Sequence, residues 1–215
     1  MGLLDDLKKQ ADMVKSQKLS QQSMLQEGTK LVEAKMHQTF LYLNDLLKQL
    51  AVLRPTNPMV YSIPGIGDLQ NLVFAESFID YRKKKLADRD YYDVISLFIR
   101  WASPENVSFE RDMPVMIQKV RNVLWEFGLK FAEEEIKKPG GGFQKTKFTL
   151  PQAITCDVTI SADHEYGVLL VKGKHLLRLG ADDLRIPAAA LDEPLLEEFA
   201  RTLIGQSTQL RKYRI

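Results

Sequence analysis

The sequence predicts an α+β fold: a long N-terminal amphipathic, coiled-coil-like helix followed by a mainly antiparallel sheet with two further helices. Three observations carry this. Apolar residues recur at heptad spacing over 25–53, two later segments repeat at helical spacing between a capping residue and a glycine, and the remainder alternates in short runs broken by turn residues. Short links between strands favour antiparallel pairing.

Residues 1–14 read as a short amphipathic helix carrying Leu4, Leu7, Ala11 and Val14 among Asp and Lys. The stretch 15–23 is almost wholly polar. From Leu25 the pattern returns: Leu25, Val32, Thr39, Leu46 and Leu53 form one heptad series, and Thr29, Met36, Leu43 and Leu50 the other. The two seams differ in register, so two helical pieces with a polar joint are expected. Pro55 and Pro58 end the second piece. The expected organisation is a helical arm over 1–54, an α+β domain over 55–205 and a basic tail over 206–215 containing Arg211, Lys212 and Arg214.

Within the domain, 59–63 is a strand candidate before the Pro64-Gly65-Ile66-Gly67-Asp68 turn. A hairpin follows over 74–85 and 91–101 with its turn at 88–90, and 107–111 adds a strand. Asp112 is the expected N-cap of a helix with Pro114 in its first turn and Gly128 at its end. Its core stripe is Met116, Ile117, Val120, Val123, Leu124 and Phe127. Strands then follow at 129–136, 143–150, 154–161, 168–172, 176–179 and 184–186. Asp192 caps the last helix, whose buried face is Leu195, Leu196, Phe199, Ala200, Leu203 and Ile204, before Gly205.

Composition excludes several classes of function. Thirty basic against twenty-eight acidic side chains leave a net charge of +2, so only a local patch could grip a polyanion. The single Cys156 leaves no disulfide within the chain and no Cys-x-x-Cys site, which suits a reducing, cytoplasmic setting. No apolar run approaches the roughly 20 residues of a transmembrane span. Neither a cofactor nor a metal is expected: Gly65-Ile-Gly67 has Gln70 where a dinucleotide fingerprint needs glycine, and Pro139-Gly-Gly-Gly142 leads into Phe143-Gln144 where a P-loop needs Lys and Ser or Thr. No nucleophile elbow occurs, and His37, His164 and His175 stand at no metal-ligand spacing. Asp163-His164-Glu165 could hold a metal or move a proton; the plainer reading is a solvated turn. Asp68, Glu76 and Asp93 are acids that a fold could bring together into a dispersed catalytic site.

Two kinds of contact surface remain. The first is the arm, with Leu25, Thr29, Val32 and Met36 meeting a second copy or a partner helix. Trp125 joins them, because it points roughly 100° away from its helix's apolar stripe. Either the long helix covers it or it anchors another protein. The second is a basic surface of Arg82, Lys83, Lys84, Lys85, Lys145 and Lys147 beside tyrosines, able to hold an anion such as nucleic acid or a membrane surface. The leading expectation is a non-enzymatic cytoplasmic interaction or scaffold protein, a homo-oligomer or a partner-helix binder; the anion-binding module and the enzyme are its alternatives. The widening apolar face after Phe40 predicts a long helix docked by its later half and offered to a partner before Thr39.

Overall fold

A computed structural model describes residues 3–86 and 89–215, with side chains described except at 3–9, 11, 17–25 and 86. One helix, α1 (Leu3–Leu53), precedes a sheet built from β1 (Thr56–Asn57), β4 (Leu72–Leu86), β5 (Arg89–Arg111), β6 (Ala132–Lys137), β7 (Phe143–Asp163), β8 (Val168–Lys174) and β9 (Ala181–Pro187). A separate small ladder pairs β2 (Tyr61–Ile63) with β3 (Gly67–Leu69). Two further helices, α2 (Pro114–Glu126) and α3 (Glu193–Leu203), complete the α+β fold. No helix among the described residues is long and apolar enough to cross a membrane.

The expected joint over 15–23 is not a break: α1 is one helix through it. That stretch contains neither proline nor glycine, so it interrupts the apolar seam while leaving the backbone ladder free to continue. Arg54, with φ of 46°, and Pro55 then turn the chain into the sheet.

The sheet is antiparallel throughout, in the order β1-β4-β5-β7-β8-β9, with β6 also paired to β7. β5 and β7 are longer than the sequence suggests, because 91–101 and 107–111 belong to one strand, and 143–150 and 154–161 to another. The breaks in both patterns coincide. Pro104 lies in the irregular stretch between Ala102 and Asn106, facing the Pro151 side of β7, so the two ladders resume together beyond it. This bulge divides the sheet. The earlier half of β5 packs with α1, whereas Phe109 and Phe148, 5.4 Å apart, lie beneath the α2 side with Phe131.

Alternation fixes which face is core. Phe74 pairs with Trp101, and Ile99 and Cys156 stand opposite each other on the buried side. Against this face α1 lays Val32, Met36, Thr39, Leu43, Leu47 and Leu50. Thr39 is tolerated there because its hydroxyl donates to the Lys35 carbonyl at 2.7 Å. α3 follows the sequence reading closely: Asp192 Oδ1 accepts from the Leu195 amide at 3.0 Å, and its six named apolar positions are buried except half-buried Ile204.

Four expectations require correction. Met113, not Asp112, is the N-cap of α2, and its side chain makes no capping hydrogen bond. On that helix Ile117, Val120 and Leu124 are buried while Met116 is exposed. Residues 176–179 are a loop: His175 adopts φ of 59° and its amide donates to the Gly180 carbonyl, reversing the chain while Leu176 and Leu177 plug the core. The basic segment after Gly205 folds back, with Leu210 buried, Arg214 bridged to Leu184, and the Ile215 amide donating to the Asp183 carbonyl. The turn expected at 88–90 falls partly on residues 87 and 88, outside the described ones.

Candidate functional site

The side chain of Leu25 lies outside the described residues, and Thr29 is half-buried. Val32 and Met36 have no exposed surface. Their burial is intramolecular, so the docked length of α1 begins at least a turn and a half before Thr39 and the predicted division of the helix moves toward its N-terminus. The reason is visible at Tyr92. An irregularity between Arg82 and Lys83 leaves Asp93 without a partner opposite it, and the Tyr92 amide donates instead to Glu33 Oε2 at 2.6 Å. The Tyr92 hydroxyl also meets His37 Nδ1 at 3.1 Å. Glu33, a seam-flanking charge in the sequence, is thus an anchor to the sheet.

Ahead of this anchor, the described side chains at 10, 12–16, 26 and 27 are all exposed, including Met13 at 58% and Val14 at 49%. Trp125 is also open, at 61%, and rests its ring 6.2 Å from Phe131. α1 does not cover it. The helix lies over β4, β5 and α3, away from the α2 end of the sheet.

The basic residues separate into two places. Arg82–Lys85 pair with 90–94 of β5, whereas Lys145 and Lys147 lie beside its far end at Glu110 and Arg111. Arg82 and Lys84 both bind Asp93, at 3.0 and 3.1 Å; burial raises the Asp93 carboxyl, but the hydrogen bonds from Lys84 and Arg82 outweigh it and hold the pKa below the ordinary value. Lys145 binds Glu110 at 2.5 Å, and Lys147 faces Glu110 and Glu134 in register. Lys83 instead lies 4.8 Å from the Tyr92 ring centre, a cation–π contact beside an open groove that Lys30 and Arg89 also line.

The remaining sequence candidates are structural. His164 is buried, with Nε2 2.9 Å from the Tyr92 carbonyl and its ring edge-on to Tyr91, so it ties the β7–β8 turn to β5. Asp163 accepts from the Tyr166 amide in that turn. Asp68, Glu76 and Asp93 do not converge: Asp68 lies in the small ladder, Glu76 pairs with Arg100 at 3.1 Å, and Asp93 is held as described. Burial pushes the Cys156 thiol well above its usual range, so the thiolate is suppressed. No group of three metal-ligating side chains occurs among the described residues.

A feature absent from the sequence reading lies on the outer sheet face. A cleft of ≈ 430 Å³ is floored by β4, β5, β7 and β8 and walled by 128–130. Into it come Glu76, Arg100, Thr155, Asp157, Lys130 and Lys174. Gly128, at φ of 65°, closes α2, and a Cβ there would stand 2.5 Å from Lys174 Nζ, so the glycine makes room for that ammonium. Burial raises the Asp157 carboxyl above the ordinary value, with Lys174 opposing. The only sequence signal was the outward parity of these positions on strands, which marks a face without showing a cavity.

His175 fixes the rim. Its Nδ1 accepts from the Gly180 amide at 3.0 Å, and its pKa is lowered to about 4 by burial first and by Lys174 second, with a hydrogen bond to the Phe127 backbone opposing. The unfolded chain therefore takes up this proton near pH 6.5 and the folded chain only near 4. The neutral imidazole contributes stability that is full above about pH 6.5 and declines as pH falls through that window. Relative to pH 7.5, urea denaturation at pH 5 should show a loss of about 2 kcal/mol from this residue. His175→Asn, which also suits the left-handed backbone, should remove that pH-dependent component; an unchanged acid slope would refute it.

Comparison with protein families, with curated proteins and with solved structures finds no match to this chain.

Proposed function

We propose that this chain is a non-enzymatic cytoplasmic interaction protein that associates, with a second copy or with a partner helix, through the part of α1 ahead of its own docking site. The observation that supports this is the division of α1. Val32 to Leu50 is fastened to the sheet, while the described side chains at 10, 12–16, 26 and 27 are exposed on the same helix. Twenty-five residues of helix reach about 37 Å, and a helix draws most of its stability from a packed face. The apolar stripe read over 1–14 supplies such a face, and exposed Val14 gives it contact surface. The seam that the sequence suggested for this role, Val32 and Met36, is instead what holds the arm to the domain.

Deleting residues 1–24 should convert associated protein into monomer while leaving the domain folded, because the deletion ends before the Glu33 anchor. Light scattering after size exclusion, with and without an added partner fraction, checks the mass; thermal unfolding checks the domain. Intact chain that stays monomeric at high concentration and retains no partner would sink the reading.

A further inference from the structure

We propose that the outer-face cleft binds a small molecule carrying a planar apolar ring and an anionic group. Phe78 and Phe98 stand opposite each other on β4 and β5, with ring centres 6.2 Å apart and planes 29° from parallel. Phe78 is 56% exposed on a face whose neighbouring outward positions, Glu76, Asp80, Ser96 and Arg100, are polar. The same cross-strand row continues through Asp157 on β7 to Lys174 on β8. The rings line a shallower depression of ≈ 150 Å³ that adjoins the cleft through Asp157, which borders both.

Charge in the cleft is unbalanced toward cations. Glu76 is matched by Arg100 at 3.1 Å. Among the described residues neither Lys130 nor Lys174 has a carboxylate within ion-pair distance, and the three cations Arg100, Lys130 and Lys174 line the cleft against the two carboxylates Glu76 and Asp157. Two strand spacings, about 10 Å, separate the Phe98 and Lys174 columns. That is the length of a bicyclic ring bearing one anionic substituent, laid from the depression at Phe98 across Asp157 into the cleft at Lys174. The ring would lie on Phe78 and Phe98, the anion at Lys174 and Lys130, and Thr155 or Asp157 could hydrogen-bond a polar atom between them. This site is independent of the arm and survives if the association reading fails.

The test titrates the full chain with 2-naphthyl phosphate, 2-naphthol and inorganic phosphate, following backbone amide shifts and heats of binding. The naphthyl phosphate should saturate with shifts confined to 76–78, 98–100, 128–130, 155–157 and 174, and each half-molecule should bind roughly tenfold more weakly or worse. Phe78→Ser and Lys174→Met should each weaken it by about tenfold or more, with Lys130→Met as the second cation variant and Trp125→Ser unchanged. The remaining amide spectrum shows that each variant is folded. Absence of saturation at millimolar probe, shifts centred on the Trp125 face, or Phe78→Ser and Lys174→Met variants that bind as tightly as the unaltered chain would overturn the proposal.

Discussion

Met36→Ala should destabilise the domain by about 2–5 kcal/mol, the range for truncating a fully buried large side chain. Met36 has no exposed surface, and it lies one turn beyond Glu33 and beside His37, the two residues that fasten α1 to Tyr92. Its removal therefore leaves a void under the helix beside the two contacts that Glu33 and His37 make to Tyr92. Met13→Ala, at an exposed position of the same helix, should change stability by no more than about 0.5 kcal/mol. Urea denaturation of the two variants separates the core use of α1 from its free use. If Met36→Ala proved as mild as Met13→Ala, the helix would not be docked at this point. The same contrast bears on truncation: cutting before Thr39 removes Val32, Glu33 and Met36 and should unfold the domain, so loss of association after such a cut would say nothing about a partner.

The heptad seam was legible because burial against a sheet and burial against a helix demand the same spacing; its partner was not, for the same reason. Glu33 accepts from the Tyr92 amide beside a strand irregularity, and no pattern in the sequence marks such a contact. Alternation reveals the hairpins, but it lapses at Pro104 and Pro151, where β5 and β7 each continue through the break. The prolines are tolerated where one irregularity accommodates both. The loop after β8 was read as a strand since Leu176, Leu177 and Leu179 are as apolar as any edge; what makes it a loop is the left-handed His175, a backbone fact. The cleft was illegible because Glu76, Arg100, Asp157 and Lys174 meet only through register across four strands.

Gly205→Ala should cost about 2–4 kcal/mol, from two sources that can be separated. Gly205 follows α3 with φ of 76°, where an alanine bears about 1–2 kcal/mol of strain. Its Cβ would also stand 2.0 Å from Asn57 Oδ1 and 3.1 Å from the Met59 Cβ. Asn57 cannot simply retreat. It is buried, its Oδ1 accepts from the Met59 amide at 2.8 Å, and its amide nitrogen lies 3.4 Å from the Tyr61 hydroxyl. Moving it would take the acceptor from the part-buried Met59 amide, at about 1–2 kcal/mol. In an Asn57→Ala background the collision with Oδ1 is absent, so Gly205→Ala should there cost only its strain and the tight approach to Met59, and the difference between the two backgrounds measures the Asn57 contact. Equal costs in both would show that the backbone alone requires glycine. Asn57 lies three residues beyond Arg54, where the arm turns into the sheet. A contact confirmed by that cycle would mean that the end of α3 fixes the strand on which α1 enters the domain. Gly205→Ala protein should then lose the Glu33–Tyr92 attachment early in unfolding, seen as faster hydrogen exchange at the Tyr92 amide than at Ile99.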